Sequence, residues 1–275
     1  MQKKAKIVGV YLIFIFILIY FSLPSLWLFL SVFNAHAEAF IEIPKKPTLI
    51  NFVKIFKDYN FSTYLFNSIL VSTLTMILVT LTASLAGYSL SRWHSKYKNH
   101  LLYSILLLRT IPASATMVPI YSLMRTLHLR NSYLGLILIY SAAQLPFLIW
   151  LIEQFFDTIP PEMEEAAWID GSSYFRTLFS IVMPIAKPGI AVTAILSFRA
   201  AWSESVLVLV LIDSQRLQTI PRAFYEAART MGGSAVEYQY EIVATMGLFF
   251  VLPLMIIFWI TRKYFVKGML GGAIK

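Results

Sequence analysis

The chain has 275 residues, of which 58% are hydrophobic and 13% charged, and its formal net charge is +9. A soluble domain is nearer half apolar and a quarter charged, so this composition predicts an integral membrane protein. The positive charge does not indicate a nucleic-acid partner, because Lys and Arg lie in loops between apolar blocks rather than along one face. The absence of cysteine excludes disulfides and thiolate metal sites.

The first apolar block runs from Ile7 to about Phe33, after a basic start. Two interpretations compete. The Ala35-His36-Ala37 triplet resembles a signal-peptide cleavage site. The block is, however, far longer than a signal-peptide core and long enough to cross a membrane, so we favour a retained first helix. A polar connection follows as far as Asn60, with a short surface helix predicted near residues 51–59.

Five further apolar segments predict spans two to six. They are Phe61–Leu90, Leu101–Tyr121, Tyr133–Ile152, Pro188–Ile212 and Ile242–Ile260. Pro112 and Pro119 are expected to kink or break the third span. A short amphipathic helix is expected between the last two spans, near residues 221–231.

Six spans place both termini on one side of the membrane. The short basic elements at residues 3–6, 92–98 and 262–267 all fall on that side, which predicts that it is the cytoplasm. The polar loop at about residues 153–187 falls there too. We predict a division into residues 1–60, the first helix with its external connection, and residues 61–275, a five-helix core.

The polar loop contains an acid-rich island from Pro160 to Pro188. Two prolines can open a helix, and the glutamates that follow favour its positive end. Gly171 lies where such a helix would stop, because glycine accepts a left-handed conformation cheaply. Ser172 or Ser173 can cap a second helix. The island therefore predicts a short helix, a glycine turn and a second helix.

The spacing of Glu165-Ala166-Ala167, Gly171, Ile181 and Met183-Pro184 resembles the EAA motif of ABC importer membrane subunits. The family usually has Leu at the position of Met183, a substitution that conserves volume. The resemblance implies an all-α integral membrane protein with six transmembrane helices and the type I importer permease (MetI-like) fold.

The same resemblance implies that the EAA helix couples the permease to a separate ATPase. The coupling residues carried over are Met163, Glu164, Glu165, Ala166, Ala167, Asp170, Gly171 and Pro184. ATP and Mg would be bound by the partner ATPase subunits, and this chain would bind no cofactor itself. The implied partners are a second permease subunit, two ATP-binding cassette subunits and an extracytoplasmic solute-binding protein, in the cell membrane.

Further stretches resemble the MalG-like carbohydrate branch of this family, and imply a sugar or oligosaccharide substrate. They are Asn131–Leu138, Leu145-Pro146-Phe147, Ser197-Phe198, Ala201-Trp202 and Glu204. The branch commonly has Asn where this chain has Ser203. Candidate residues of the substrate pathway are Arg109, Gln144, Arg199, Trp202 and Glu204.

Three of these pathway residues, Arg109, Arg199 and Glu204, also have a structural interpretation. Arg109 either faces a cavity or partner, or extends to the nearby membrane surface. Trp202 has a ring suited to stacking on a sugar, and Arg199 and Glu204 either contact hydroxyls or pair with other helices. We slightly favour packing for the last two.

Catalytic signatures are missing from the sequence. It has no G-x-x-x-x-G-K-[ST] phosphate loop, no H-E-x-x-H metal pattern and no G-x-S-x-G nucleophile turn. The chain is therefore expected to be a non-catalytic subunit. The alternatives are a permease for a non-sugar solute and, less favoured, a self-sufficient secondary transporter, which would need midplane ionisable groups and usually related halves.

Overall fold

The computed structural model describes residues 2–230 and 239–272, and within these the side chains of residues 7, 9–112, 115–225 and 239–261. The described ranges contain helices and no strand. Those of the first half are α1 (Gln2–Val32), α2 (Ile50–Asp58), α3 (Phe61–Ser91), α4 (Lys98–Leu107), α5 (Ala113–Thr126) and α6 (Tyr133–Phe156). Those of the second half are α7 (Glu162–Ile169), α8 (Tyr174–Thr177), α9 (Met183–Ile185), α10 (Lys187–Trp202), α11 (Val206–Leu211), α12 (Ile220–Thr230) and α13 (Tyr240–Gly272).

Four of the described helices are long and apolar enough to cross a membrane, namely α1, α3, α6 and α13. Two bent pairs pass the same test, and counting each pair as one span gives six. The six-span prediction is thus confirmed. Helices α2 and α12 also form where short helices were predicted, although Met231 and the tail residues 273–275 lie outside the described residues.

The third span is broken at the predicted proline. Helix α4 continues through a 3-10 turn to Thr110, and the segment that follows Pro112 turns away from it by 97°. Proline cannot donate the backbone hydrogen bond that would continue the first helix. Pro119, by contrast, lies inside α5 without ending it.

The fifth span differs from the prediction of one helix from Pro188 to Ile212. Its helical path begins at Tyr174, bends by 78° at Ala186, and ends at Trp202. After the interruption, Glu204 Oε1 accepts the backbone N–H groups of Val206 and Leu207 at 2.8 and 2.9 Å. These bonds satisfy two N–H groups that have no partner within the helix at the start of α11.

The described residues form two compact units. The first contains residues 2–62, 223–230 and 239–253. In it, the buried amide of Asn51 donates to the carbonyls of Val32 and Asn34 at 2.9 and 2.8 Å, which satisfies the end of α1. The rings of Phe56, Phe61 and Phe249 pack with centroids 5.2–5.7 Å apart.

The second unit, residues 63–222 and 254–272, contains two buried apolar clusters. One joins Val71 of α3 to Leu136 and Tyr140 of α6, and the other lies further along the same helices. Gly87 permits this packing, because a Cβ there would lie 2.6 Å from Ile152 Cγ2 and 3.1 Å from the backbone nitrogen of Glu153. Small residues let membrane helices approach closely in this way.

Gly87→Ala is therefore expected to destabilise the protein by about 1–3 kcal/mol through overpacking between α3 and α6. Thermal unfolding of the purified chain in detergent would measure the loss. Gly9→Ala is the matched control, since a Cβ at Gly9 meets nothing within 4 Å. Equal unfolding midpoints for the two variants would contradict the close approach of α3 and α6.

Candidate functional site

The acid-rich island folds as predicted, into a short helix, a glycine turn and a second helix. Pro161 precedes α7, and three glutamates fall in the first turn of that helix. Carboxylates there interact favourably with the positive helix end. The local order of residues thus predicts where α7 begins along the chain.

Gly171 adopts φ +84°, the left-handed conformation expected of it. Its N–H donates to the Trp168 carbonyl at 3.0 Å, and the N–H of Ser172 donates to the Ala167 carbonyl at 2.9 Å. This pair of bonds is the Schellman arrangement that closes a helix. Ser173 then caps α8 by accepting the N–H of Arg176. The turn is therefore held by backbone hydrogen bonds on one side and by a side-chain cap on the other.

Helix α7 has an inner and an outer face. Glu164 and Ala167, three residues apart, are buried. The other predicted coupling residues are exposed, and so is Ile169, which is 86% exposed. The outer residues of the predicted set are Met163, Glu165, Ala166 and Asp170, together with Gly171 in the turn and Pro184 in α9. The outer face thus combines apolar surface with carboxylates.

On the inner face of α7, the Glu164 carboxylate is bound by Tyr88 and Arg92. We call these three residues the Arg92 cluster. Arg92 Nε donates to Glu164 Oε1 at 2.7 Å, and its Nη2 lies 2.6 Å from the same oxygen. Tyr88 donates to the other carboxylate oxygen at 2.5 Å. Both oxygens of a carboxylate that is 1% exposed are therefore satisfied.

A second ionic group, the Lys98 cluster, contains Ser91, Lys98, Glu153 and Asp157. Lys98 Nζ lies 2.6 Å from Glu153 Oε1 and 2.9 Å from Asp157 Oδ2. Glu153 is fully buried in α6, so its charge requires this partner. The cluster ties the start of α4 to the end of α6.

Asp157 has a pKa below its ordinary value. Burial alone would raise the pKa, but the hydrogen bond from Ser91 Oγ at 2.6 Å and the contact with the Lys98 ammonium outweigh it. A carboxylate stabilised in this way loses its contribution to folding only when it is protonated.

Two of the five predicted pathway residues, Arg109 and Glu204, meet in one cleft. It has a volume of about 500 Å³ and is lined mainly by apolar residues of α5, α6 and α11. The Arg109 guanidinium lies 4.4 Å from the centre of the Phe147 ring. Arg109 is exposed and faces this cavity, which is the first of its two interpretations.

The other three predicted pathway residues do not line this cleft. Trp202 is 1% exposed and stacks on Phe198 at 5.6 Å, so it presents no free ring face to a sugar in this conformation. Arg199 is exposed, with its carbonyl accepting the Ser203 hydroxyl at 2.8 Å. The Gln144 Oε1 atom is buried and has no hydrogen-bond partner among the described residues.

Sequence reasoning treated Arg92 and Lys98 only as markers of the cytoplasmic side. One signal pointed further: Glu153 is a carboxylate at the end of an apolar run, and such a group needs a cationic partner. No comparable signal links Arg92 to Glu164, because both stand in polar segments between the apolar runs, where charged side chains are ordinarily solvated. That pairing depends on the fold.

The fold and this site define an α-helical membrane protein that carries a firmly held polar helix between two of its spans. Residues 81–270 match the family described as the binding-protein-dependent transport system inner membrane component, and the chain belongs to that family. The resemblance to ABC importer membrane subunits, carried by the EAA motif, is thus confirmed.

Curated relatives match over nearly the whole chain. The sulfoquinovosyl glycerol transport system permease protein SmoH of Agrobacterium fabrum is 30% identical over 92% of this chain and 88% of its own length. The trehalose/maltose transport system permease protein MalG of Thermococcus litoralis is 30% identical over 92% of this chain and 91% of its own.

A solved structure has the same fold. A chain from a bacterial ABC transporter involved in the import of the acidic polysaccharide alginate superposes with a TM-score of 0.82. The match covers 96% of this chain and 97% of that chain at 21% identity. The predicted type I importer permease fold, MetI-like, is thereby confirmed.

The lowered pKa of Asp157 predicts a pH-dependent effect of Asp157→Asn. The wild-type contribution is present above the unfolded pKa, about 4, and is lost as the pH falls through the lower folded value. The gap in unfolding midpoint between wild type and variant should therefore be widest near neutral pH and shrink below about pH 4. Thermal unfolding across this range measures it, and a gap independent of pH would contradict the assignment.

Proposed function

We propose that this chain is one of two membrane subunits of an ATP-binding-cassette importer for a sugar or oligosaccharide. The observation that carries the proposal is the outer face of α7, an exposed apolar and acidic surface on a firmly anchored base. Family membership supports it. The chain itself is non-catalytic, and the energy comes from ATP hydrolysed, with Mg, by two partner subunits.

Helix α7 docks in a cleft of a partner ATPase. Ala166 admits close approach, and Glu165 offers its carboxylate to a basic or donor group. The exposed Ile169 and Met163 add apolar surface that association would remove from water. Closure of the ATPase pair displaces α7, and the two membrane subunits rock around the substrate path in alternating access.

The sugar assignment is supported by relatives named for sulfoquinovosyl glycerol and trehalose/maltose transport. Within this chain, the cleft with Arg109 and Glu204 is the candidate part of the pathway, because charged groups in membrane spans mark such paths. Gln144 and Arg199 are weaker candidates. Trp202 would need to leave its packed position to contact a sugar.

The orientation follows the positive-inside distribution, with both termini and α7 in the cytoplasm. An extracytoplasmic solute-binding protein delivers the substrate on the opposite side, in keeping with the family's description as binding-protein-dependent. The second permease subunit completes the path within the cell membrane.

The decisive experiment is a mild-detergent purification of the tagged chain from its native membrane. Co-elution of an ATPase and a second permease, with ATP hydrolysis that rises with the binding protein and a sugar, is the expected result. A single-chain particle that transports without ATP would overturn the proposal and favour a secondary transporter. If only amino acids or inorganic ions stimulate ATP hydrolysis, the sugar assignment is wrong and the chain serves a non-sugar importer.

Gly171→Asp is expected to reduce ATP-driven uptake by about tenfold. A tenfold effect corresponds to about 1.4 kcal/mol, which lies within the usual range of coupling free energies between two sites. A Cβ at Gly171 meets nothing within 4 Å, but any side chain is strained at φ +84°, so Asp adds backbone strain as well as a negative charge to the docking surface. Gly171→Asn is the matched control, because Asn has the same size and tolerates positive φ. Uptake assays in vesicles compare both variants with the wild type. A larger loss in Gly171→Asp than in Gly171→Asn assigns the effect to the charge, and wild-type uptake by both variants would count against docking at this turn.

A further inference from the structure

Adjacent glutamates of α7 have opposite environments. Glu165 is exposed, whereas Glu164 is buried and belongs to the Arg92 cluster. Successive residues point about 100° apart around a helix, so two adjacent side chains can lie on different faces of α7. The buried Glu164 is therefore not available to an ATPase in this conformation, although it was predicted as a coupling residue.

Arg92 connects three separate elements. Besides Glu164, its guanidinium donates to the carbonyl of Phe156 at 3.3 Å and to that of Ile159 at 3.1 Å. It also donates to Ser91 Oγ at 3.0 Å. One planar cation thus joins the C-terminal end of α3 to the end of α6 and to α7, with a geometry that lysine could not reproduce.

The covalent route from α7 to α10 is less direct. It passes the turn at Gly171, a π-helical stretch (Leu178–Val182) and the 78° bend before α10. Turns and π-bulges are places where a helical path can deform. A displacement of α7 transmitted only along the chain would be partly absorbed in these elements.

We propose that Arg92 and Glu164 are positioning residues that join α7 to α3, so that a displacement of α7 moves the second span directly. The statement that this link couples ATP hydrolysis to transport rests on the function proposed above. The statement that Arg92 and Glu164 keep α7 at a fixed distance from α3 does not depend on that function. Tyr88 belongs to the same device, because its hydroxyl holds the second carboxylate oxygen of Glu164.

A buried ion pair is weak evidence for stability, but removing one partner leaves an uncompensated charge. A charge-swapped pair would not restore this site, since a carboxylate at position 92 would face the Phe156 and Ile159 carbonyls. The informative comparison is a double-mutant cycle with Arg92→Gln and Glu164→Gln. If Arg92 and Glu164 act through the contact between them, the effect measured for the double variant should equal that of Arg92→Gln alone.

The natural chain has no cysteine, so two spin labels can be placed without removing any. Ser89→Cys on α3 and Glu162→Cys on α7 are exposed and lie outside the Arg92 cluster. We expect a narrow distance distribution in this background and a broader one after Glu164→Gln or Arg92→Gln. The distance distribution of the double variant should be no broader than that of Arg92→Gln. Tyr88→Phe removes a single hydrogen bond, so the width of its distribution should lie between that of the labelled background and that of the charge variants.

Asp213→Asn is the matched control, because it neutralises another carboxylate paired with an arginine, Arg130, at 2.7 Å. It should leave the distribution unchanged. In the co-purified assembly, uptake per ATP hydrolysed should fall several-fold in the Arg92 and Glu164 variants while ATP hydrolysis persists. A role in stability alone would lower the amount of assembly and leave this ratio unchanged.

Unchanged distances in all Arg92-cluster variants, or broadening that adds in the double variant, would overturn the proposal. If no ATPase co-purifies, the proposed function fails, and the distance measurement still decides whether Arg92 joins the two helices. If distances broaden while uptake per ATP is unchanged, the mechanical link exists but does not carry coupling, which also overturns the proposal.

Discussion

A buried carboxylate must find partners for both of its oxygens, and in this protein that requirement fixes the position of α7. Glu164 finds them in Arg92 and Tyr88, near the end of α3. The remaining donors of Arg92 bind the carbonyls of Phe156, the last residue of α6, and of Ile159, just after it. The outer face of α7, where the proposed partner docks, is oriented by contacts on its inner face.

The Lys98 cluster extends the same logic to the next connection. Glu153 is buried, and Lys98 neutralises it while also reaching Asp157. Both ionic clusters lie where helices end and where a membrane protein needs its short connections held in place. Long apolar spans tolerate many side chains, whereas a buried charge accepts only a few partners in a narrow geometry. The connections are therefore more specifically determined than the spans they join.

Local features of the site could be predicted from sequence because each depends on neighbouring residues. The turn at Gly171, the cap at Ser173 and the break at Pro112 all follow from backbone preferences over a few positions. The pairing of Arg92 with Glu164 could not, since hydropathy treats both as loop residues. The role of Trp202 could not be predicted from sequence either, because an aromatic ring is equally suited to stacking on a ligand and to packing in a core. In the structure it packs on Phe198.

The break in the third span has a consequence for water. Helix α5 has 14 residues, about 21 Å of helix, which is shorter than the ~30 Å hydrocarbon layer. Backbone groups freed at such a break cannot face lipid and must meet protein or water. Leu108 and Ile111, which flank the break, line the cleft that also contains Arg109. Groups freed at the break therefore have this cleft beside them, and the exposed Arg109 lies in the same cleft.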